Sequence, residues 1–422
     1  MRMSKRDFLA LSSASAGLAV VGACTADVTT VPKPQLKSIV GDAVPISVEE
    51  RLARIEKAQR LMAENNIDAI LLEPGSAMLY FSGVSWWRSE RLTTVIIPRE
   101  GDIGIVTPLF EEPSVRESMT FGDDVRTWNE HENPFERVAG FLKDRNLTGG
   151  KIGLEETVRY FVVDGLKLAA PAFDITSATP VTQGCRMYKS AAEIALIKKA
   201  NEVTLTAYRH VYQHLEGGME PGDVKALMAA AQSQLGGVGS WNMALFGVAS
   251  AYPHGTNQPQ KIVEGQIVLM DCGCSVEGYQ SDISRTFVYG ESTARQREVW
   301  DMVRKGQQIA FESAQIGTAA GSVDDAVRAY YESLGWGPGY QVPGLSHRTG
   351  HGIGMDGHER VNFVHGEETL LAPGMCFSNE PGLYDFDSFG VRLEDCLYMT
   401  EEGPAWFSVP PDSLDDPVGR MG

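Results

Sequence analysis

Acidic and imidazole side chains that could bind metal ions lie at the ends of apolar runs in the C-terminal part of the sequence. Asp271 directly follows the apolar run Ile267–Met270, and Asp282 follows eleven residues later. A buried, uncompensated carboxylate costs on the order of several kcal/mol or shifts its pKa, so we expect Asp271 to face a cation or hydrogen-bond donors. A hairpin turning around residues 276–278 would place the two carboxylates opposite each other on one face.

Three more candidate ligands follow in β-rich, glycine-flanked segments. His351 lies between Gly350 and Gly352, which allow the backbone to approach a crowded site, and Glu380 and Glu394 lie in predicted strands 374–380 and 391–399. Four carboxylates and one imidazole suit two hard or borderline divalent ions such as Mn, Co, Fe or Zn. Such a pair of ions lowers the pKa of a shared water and stabilises a tetrahedral intermediate, so these residues predict hydrolysis.

Two other motifs are interpreted as structural. Residues 352–357 match GxGxxG, but no buried strand precedes them and no helix follows, so a dinucleotide site is not expected. The sequence Cys-Gly-Cys at 272–274 lacks the second ligand pair of a zinc motif. The five cysteines after Cys24 are odd in number and do not form a disulfide framework, although a bridge between Cys376 and Cys396 stays open.

Composition indicates a globular protein of two domains. The chain has 422 residues, of which 43% are hydrophobic and 22% charged. Its formal net charge of −18 argues against a phosphate-binding surface, so no nucleic acid partner is expected.

The pattern of apolar residues predicts a mixed α/β N-terminal domain over residues 46–180. A capping box at Ser47–Glu50 starts a helix, and helices are also predicted at 134–145 and 155–168. Short β-rich runs predict strands at 68–72, 77–81, 93–98 and 104–108.

The second domain is predicted over residues 181–422. A capping box at Ser190–Glu193 opens a long helix, and another helix follows Pro221 and ends at Gly236. The remainder is β-rich, with two more helices at 294–316 and 322–334.

The first 24 residues have the pattern of a signal peptide. Basic Arg2, Lys5 and Arg6 precede the apolar run Phe8–Val21. This start resembles a twin-arginine export signal, and residues 21–24 resemble a bacterial lipobox, which implies a lipid anchor at Cys24. The alternative is an ordinary secretory signal cut near Ala23. Either interpretation predicts that a bacterium exports the protein, as a periplasmic protein or as a membrane-anchored lipoprotein. Residues 25–45 are then predicted to be a linker.

Four ordered sequence strings closely resemble the pita-bread metallopeptidases, which include prolidase, aminopeptidase P, creatinase and methionine aminopeptidase. They are residues 271–287 (DCGCSVEGYQSDISRTF), 347–359 (HRTGHGIGMDGHE), 378–384 (SNEPGLY) and 390–395 (GVRLED). The resemblance extends to residues 186–200 and, more weakly, to the N-terminal domain. It implies an α/β (α+β) protein with a creatinase/prolidase-like N-terminal domain and a pita-bread catalytic domain.

This resemblance also implies a role for each ligand. Asp271 would bind one metal ion, Asp282 and Glu394 would bridge two, and His351 with Glu380 would complete the second site. The expected cofactor is a pair of divalent ions, manganese first, with cobalt, zinc or iron as alternatives. Glu380 would also move the proton.

The same resemblance assigns substrate-side residues. His254 and His358 match the two active-site histidines of the family, and both are expected to be catalytic and to contact substrate. His347 and Arg392 match further substrate-binding positions. For His254, His347 and His358 the alternative is a hydrogen-bonded structural role.

The resemblance therefore predicts a homodimeric Xaa-Pro metallopeptidase acting on small peptides that contain proline. Two alternatives stay open: a pita-bread metalloenzyme acting on a non-peptide by amidinohydrolase or lyase chemistry, and a non-catalytic peptide-binding protein. The presence of all five ligands favours a metalloenzyme.

Overall fold

A mixed β-sheet forms the core of the N-terminal half in the computed structural model, which describes residues 36–422. Its six strands are β1 (Ala69–Leu72), β2 (Thr94–Pro98), β3 (Gly104–Pro108), β4 (Val125–Trp128), β5 (Gly150–Leu154) and β6 (Phe173–Ser177). They lie in the order β4-β3-β2-β1-β5-β6, with β1–β2 and β2–β3 antiparallel and the other pairs parallel. Strands β1 to β3 are buried throughout, because helices cover the sheet.

The helices of this half are α1 (Val48–Glu64), α2 (Ser76–Ser82), α3 (Glu112–Ser118), α4 (Pro134–Asp144), α5 (Tyr160–Ala169) and α6 (Thr179–Arg186). As predicted, Ser47 caps α1 by accepting a hydrogen bond from Glu50 N, 3.2 Å away. One predicted strand was wrong: residues 77–81 form part of helix α2. Five of the seven residues of α2 are buried. Its apolar residues therefore do not show the spacing that distinguishes a helix from a short buried strand.

Four helices and two main sheets form the C-terminal half. The helices are α7 (Ala191–Gln213), α8 (Pro221–Leu235), α9 (Ala294–Ser313) and α10 (Gly321–Ser333). The first sheet has the order β10-β8-β7, with β9 also paired to β8; these strands are β7 (Val238–Phe246), β8 (Gln266–Val276), β9 (Tyr279–Gln280) and β10 (Ile283–Tyr289). The capping box of α7 is complete, since Ser190 and Glu193 bond each other's backbone.

The second sheet has the order β12-β11-β13-β16-β17. Its strands are β11 (Gly350–Gly352), β12 (Glu359–Phe363), β13 (Cys376–Asn379), β16 (Asp395–Thr400) and β17 (Gly403–Trp406). Two small hairpins accompany it, formed by β14 (Gly382–Tyr384) with β15 (Gly390–Arg392) and by β18 (Ser408–Val409) with β19 (Arg420–Met421).

A buried ion pair joins the two sheets. Arg285 on β10 contacts both carboxylate oxygens of Asp395 on β16, at 2.7 and 3.1 Å, and its Nη1 also donates to Glu394 O at 2.7 Å. Both side chains are almost fully buried. Glu394 N donates to Ser284 O at 3.1 Å beside this pair, so the ends of β10 and β16 are held together at one place.

A second buried ionic cluster attaches the segment before α7 to the second sheet of the C-terminal half. Glu359 on β12 accepts from Lys189 Nζ at 2.9 Å and pairs with Arg186 at the end of α6. The Arg186 guanidinium also contacts Asp356 at 2.8 Å. All of Glu359, Arg186 and Lys189 are buried, so this cluster fixes how α6 sits against β12.

Several sequence-based expectations concern regions outside this architecture. The signal peptide, the lipobox at Cys24 and residues 25–35 of the predicted linker lie outside the described residues. Within 36–45 there is no helix or strand, but Ile39 N bonds Leu235 O at 2.9 Å. Among helices of residues 36–422, none has the length and apolar content needed to cross a membrane.

The cysteines do not form the bridge that the sequence left open. Cys376 and Cys396 are both free and buried. They lie on neighbouring strands, but Cys396 is the register partner of Ser378, and Cys376 pairs with Tyr398.

We predict that Glu359→Gln destabilises the protein. Burial alone would raise the pKa of Glu359, but Lys189 and Arg186 lower it to about 2. Removing one partner of a buried ion pair costs about 3–5 kcal/mol, because the remaining charges stay buried. The free energy of unfolding, measured by denaturant titration at pH 7, should fall by about that amount, whereas Glu401→Gln at an exposed site should change it little.

The effect of this substitution should depend on pH. Since folding depresses the pKa of Glu359, its contribution is complete above its ordinary value of 4.5 and is lost as the pH falls toward 2. The difference between Glu359→Gln and the unaltered protein should therefore shrink below about pH 4.5. A difference that stays constant over this range would contradict an ionised Glu359.

Candidate active site

A cavity of about 1030 Å³ lies between the two C-terminal sheets. All nine residues predicted from the sequence line it: His254, Asp271, Asp282, His347, His351, His358, Glu380, Arg392 and Glu394. The structure thus brings the predicted residues together, although their individual roles stay predictions.

The first sheet provides Asp271 and Asp282. The predicted hairpin is present: β8 turns at Glu277 and Gly278, both with positive φ, and returns as β9 and β10. The register partner of Asp271 is Ser284, so Asp282 lies two residues away on the same face rather than directly opposite. The two carboxylates are therefore diagonal neighbours.

The second sheet provides the other three candidate ligands. Glu380 directly follows β13 and Glu394 directly precedes β16, and these two strands pair up to Asn379 and Asp395. Glu380 and Glu394 are therefore the next facing pair of residues after Asn379 and Asp395. The predicted strands 374–380 and 391–399 are each shorter in the structure, and the second is interrupted at 393–394.

His351 lies on β11 between these glutamates and the hairpin. Its Nδ1 is 3.1 Å from Gly352 O, which directs Nε2 toward the acids. Nε2 lies 3.4 Å from Glu380 Oε1 and 3.6 Å from Asp282 Oδ2. Gly350 has no room for a side chain, because an added Cβ would lie 2.2 Å from Ser378 O.

Three overlapping groups of these residues have the spacing of metal ligands, with atoms within 4.8 Å of one another. The groups are Asp271, Asp282 and Glu394; His351, Glu380 and Glu394; and Asp282, His351 and His358. Three buried carboxylate oxygens, Asp271 Oδ1, Asp282 Oδ1 and Glu394 Oε1, have no hydrogen-bond partner among the described residues. Buried oxygens without donors are costly, so the cluster fits cations.

Electrostatics of the cluster support the same conclusion. Burial raises the pKa of Asp282 and of Glu394 well above the usual carboxyl range, and neighbouring carboxylates raise both further. Burial also raises the pKa of Glu380 to about 7. Cations bound among these acids would favour their ionised forms, because positive charge offsets the repulsion between the carboxylates.

Among the described residues, Arg392 is the buried cation that forms an ion pair with a carboxylate of the cluster. Its Nη2 contacts Asp271 Oδ2 at 2.6 Å, Nε donates to Ser284 Oγ at 2.9 Å, and Nη1 donates to Pro253 O at 3.1 Å. The guanidinium is thus occupied by protein groups. It orients Asp271 and holds the segment that carries His254.

The three predicted substrate-side histidines differ in their surroundings. His347 Nε2 lies 2.7 Å from Tyr384 Oη. Burial, and to a smaller extent the positive charge of Arg392, lower the pKa of His347 to about 3. Burial, and to a smaller extent the positive charge of Arg348, also lower the pKa of His358. His254 is exposed at the mouth of the cavity, after a short 3₁₀ helix at Gly247–Ala251. His347 and His358 are therefore neutral at pH 7.

Sequence reasoning did not single out several residues that line the cavity or contact its lining. Tyr384 bonds His347 and lies 3.4 Å from Arg392, and Arg348 lines the cavity beside His358. Both lie inside the recognised strings, which was the available signal. Trp241 and Asn242 on β7 also line the cavity, and nothing in the sequence indicated them.

Comparison with known proteins identifies both halves of the chain. Residues 195–401 match the metallopeptidase family M24, and residues 54–188 match the creatinase/prolidase N-terminal domain. An uncharacterized peptidase of Schizosaccharomyces pombe is 31% identical over 86% of this chain and 82% of that protein. An Xaa-Pro dipeptidase of Lactobacillus delbrueckii subsp. lactis is 29% identical over 83% of this chain and 95% of that protein.

Solved structures agree with these matches. Dipeptidase PepE from Mycobacterium ulcerans has a TM-score of 0.81 and 29% identity, covering 88% of this chain and 99% of that one. The predicted family and fold class are confirmed, and the alternative of a non-catalytic protein is not supported. The chain belongs to metallopeptidase family M24, in its pita-bread group of prolidases and aminopeptidases P, and is a hydrolase that cleaves peptide bonds with divalent metal ions.

Proposed function

We propose that this protein hydrolyses Xaa-Pro peptide bonds with two divalent metal ions and a water held between them. The observation that carries the metal part is the set of three buried carboxylate oxygens without hydrogen-bond donors among the described residues. The proline part is supported by relatives named Xaa-Pro dipeptidase. Non-peptide chemistry is not favoured, because the relatives described above are named as peptidases.

Five residues would hold the two ions. Asp271 would bind one ion, Asp282 and Glu394 would contact both, and His351 with Glu380 would complete the second site. The ligand groups support the shared role of Glu394, because it belongs both to the group with Asp271 and Asp282 and to the group with His351 and Glu380. The oxygen-rich set favours manganese, with cobalt, zinc or iron as alternatives.

Bound ions would supply Lewis acidity and lower the pKa of water. The protein would then handle the protons. Glu380, which lies 3.4 Å from His351 Nε2 within the acid cluster, would take a proton from the attacking water and give it to the leaving amine. Its partner His351 is neutral, because burial and His358 lower the pKa of His351.

The histidines around the acid cluster would position the substrate. His254 and His358 would donate hydrogen bonds to the peptide and to the oxygen on which negative charge develops. His347 would present a fixed neutral ring, because Tyr384 and Arg348 O hold its two nitrogens, each at 2.7 Å. Arg392 would act mainly by holding Asp271 in place.

We also propose that the protein is exported, on the sequence pattern of residues 1–24. A lipid anchor at Cys24 and a homodimer remain part of the proposal.

Substrate selectivity tests the proposed function directly. The manganese-loaded protein should hydrolyse Ala-Pro and Gly-Pro at least tenfold faster than Ala-Leu, in kcat/KM. A chelator should abolish the activity and added Mn²⁺ should restore it. Equal rates on Ala-Leu would contradict proline selectivity, and activity that survives chelation would contradict the metal mechanism.

Asp282→Asn should remove both activity and metal. The amide is neutral and presents one oxygen in place of two, so it cannot balance the charge of two ions. We expect kcat to fall at least about 10²-fold and the metal content, measured by mass spectrometry, to fall below two ions per protein molecule. Asp301→Asn, at an exposed position on α9, is the control. A variant that keeps both ions and full activity would rule out Asp282 as a ligand.

His254→Ala should lower kcat without removing metal. His254 is exposed and lies outside the candidate ligand groups, so its loss should leave the acid cluster intact. A positioned group that donates a proton or a hydrogen bond contributes about 10²–10⁴-fold to rate. His210→Ala on α7 is the matched control. A purely structural His254 would instead change thermal stability and leave kcat within a factor of two or so.

A further inference from the structure

A second cavity, of about 680 Å³, opens directly beside the active site. It shares three lining residues with the active-site cavity: Asn242, Met243 and His254. Its other walls are strand β7, the start of α8 and the loop 255–261. A substrate bound at the acid cluster could therefore continue past His254 into this space.

Strand β7 forms one wall and is an edge strand. Among residues 36–422 it pairs only with β8, and the register is regular from Trp241 to Phe246. Phe246 N bonds the side chain of Gln260 at 2.9 Å, so this N–H points away from β8. Residues on an antiparallel edge strand alternate between facing the partner and facing outward. Asn242 and Ala244 therefore also direct their backbone N–H and C=O groups outward.

These outward groups have no hydrogen-bond partner within the described part of the protein. Ala244 is only 2% exposed, although it lines the second cavity. Most buried backbone groups in native proteins form hydrogen bonds. The outward N–H and C=O groups of β7 that lack partners therefore point to a ligand with its own backbone donors and acceptors.

The charge of this cavity indicates which end of a peptide it would accept. Lys225 and Lys261 line it, and Glu220 is its only acid among the described residues. Lys261 lies 3.4 Å from Glu220, whereas Lys225 makes no ion pair with any described residue. This balance favours a terminal carboxylate over a terminal amine.

We propose that the part of the substrate following the scissile bond binds here as an added β-strand. Its backbone pairs with Asn242 and Ala244 on β7, and its terminal carboxylate lies toward Lys225 and Lys261. Strand addition to an exposed sheet edge is a common mode of peptide recognition. The inference rests on the proposed function and extends it: the preferred substrates are peptides longer than a dipeptide, and the extra residues are recognised through their backbone.

A ladder of substrates tests the proposed subsite. The manganese-loaded protein is assayed on Ala-Pro, Ala-Pro-Ala and Ala-Pro-Ala-Ala. We expect kcat/KM to rise about tenfold from the dipeptide to the tetrapeptide, equivalent to about 1.4 kcal/mol. No rise with length would overturn the proposal.

Methylation of the substrate backbone separates strand pairing from simple cavity filling. Two forms of Ala-Pro-Ala-Ala carry an N-methyl group on the third or on the fourth residue. Because successive amides of a strand point to opposite sides, only one methyl group should face β7 and lower kcat/KM about tenfold. Equal rates for the two methylated peptides would contradict pairing with β7.

Charge reversal tests the orientation of the peptide. The preference for Ala-Pro-Ala-Ala over its C-terminal amide should fall at least fivefold in a variant with both Lys225→Glu and Lys261→Glu. Lys305→Glu, an exposed lysine on α9, should leave this preference unchanged. A preference unaffected by the double variant would overturn the assigned orientation. If Ala-Pro is cleaved but peptide length, N-methylation and charge reversal do not change kcat/KM, only the proposed subsite is contradicted. If no peptide is cleaved, the proposed function itself is contradicted.

Discussion

Four carboxylates and a histidine packed into one buried cleft set the electrostatic constraint on this protein. Burial and mutual repulsion raise the pKa of Asp282 and Glu394, and three of the carboxylate oxygens find no donor among the described residues. Arg392 contacts only one of these acids directly. The remaining negative charge needs cations, and the surrounding framework must hold the acids apart until those ions are bound.

Both C-terminal sheets contribute to that framework, and neither contains the whole site. The hairpin of β8 to β10 carries Asp271 and Asp282, while β11, β13 and β16 position His351, Glu380 and Glu394. The Arg285–Asp395 pair holds the two sheets together directly beside Glu394. A buried, bidentate pair of this kind fixes geometry, since any slip of one sheet would leave two charges without partners.

The candidate site was largely predictable from sequence, because metal binding restricts residue types and the four strings preserve their order and spacing. All nine predicted residues line one cavity. Strand boundaries were less predictable, and residues 77–81 were assigned to a strand because a short, largely buried segment carries little periodicity. The diagonal placement of Asp271 and Asp282 depends on the strand register, which the sequence pattern does not determine. The contact of the Arg392 guanidinium with Asp271 depends on tertiary structure. The free edge of β7 follows from strand order, which no local pattern encodes.

The distribution of ligands along the sequence has a consequence for assembly of the holoenzyme. The first candidate ligand is Asp271 and the last is Glu394, more than a hundred residues later, and they meet only when both sheets have docked. Contacts between residues so distant in sequence form late in folding, because closing long loops costs entropy before it is repaid. A nascent or half-folded polypeptide therefore cannot select its metal. The ligand groups are complete only after both sheets have folded, so the folded framework selects among the ions that it meets.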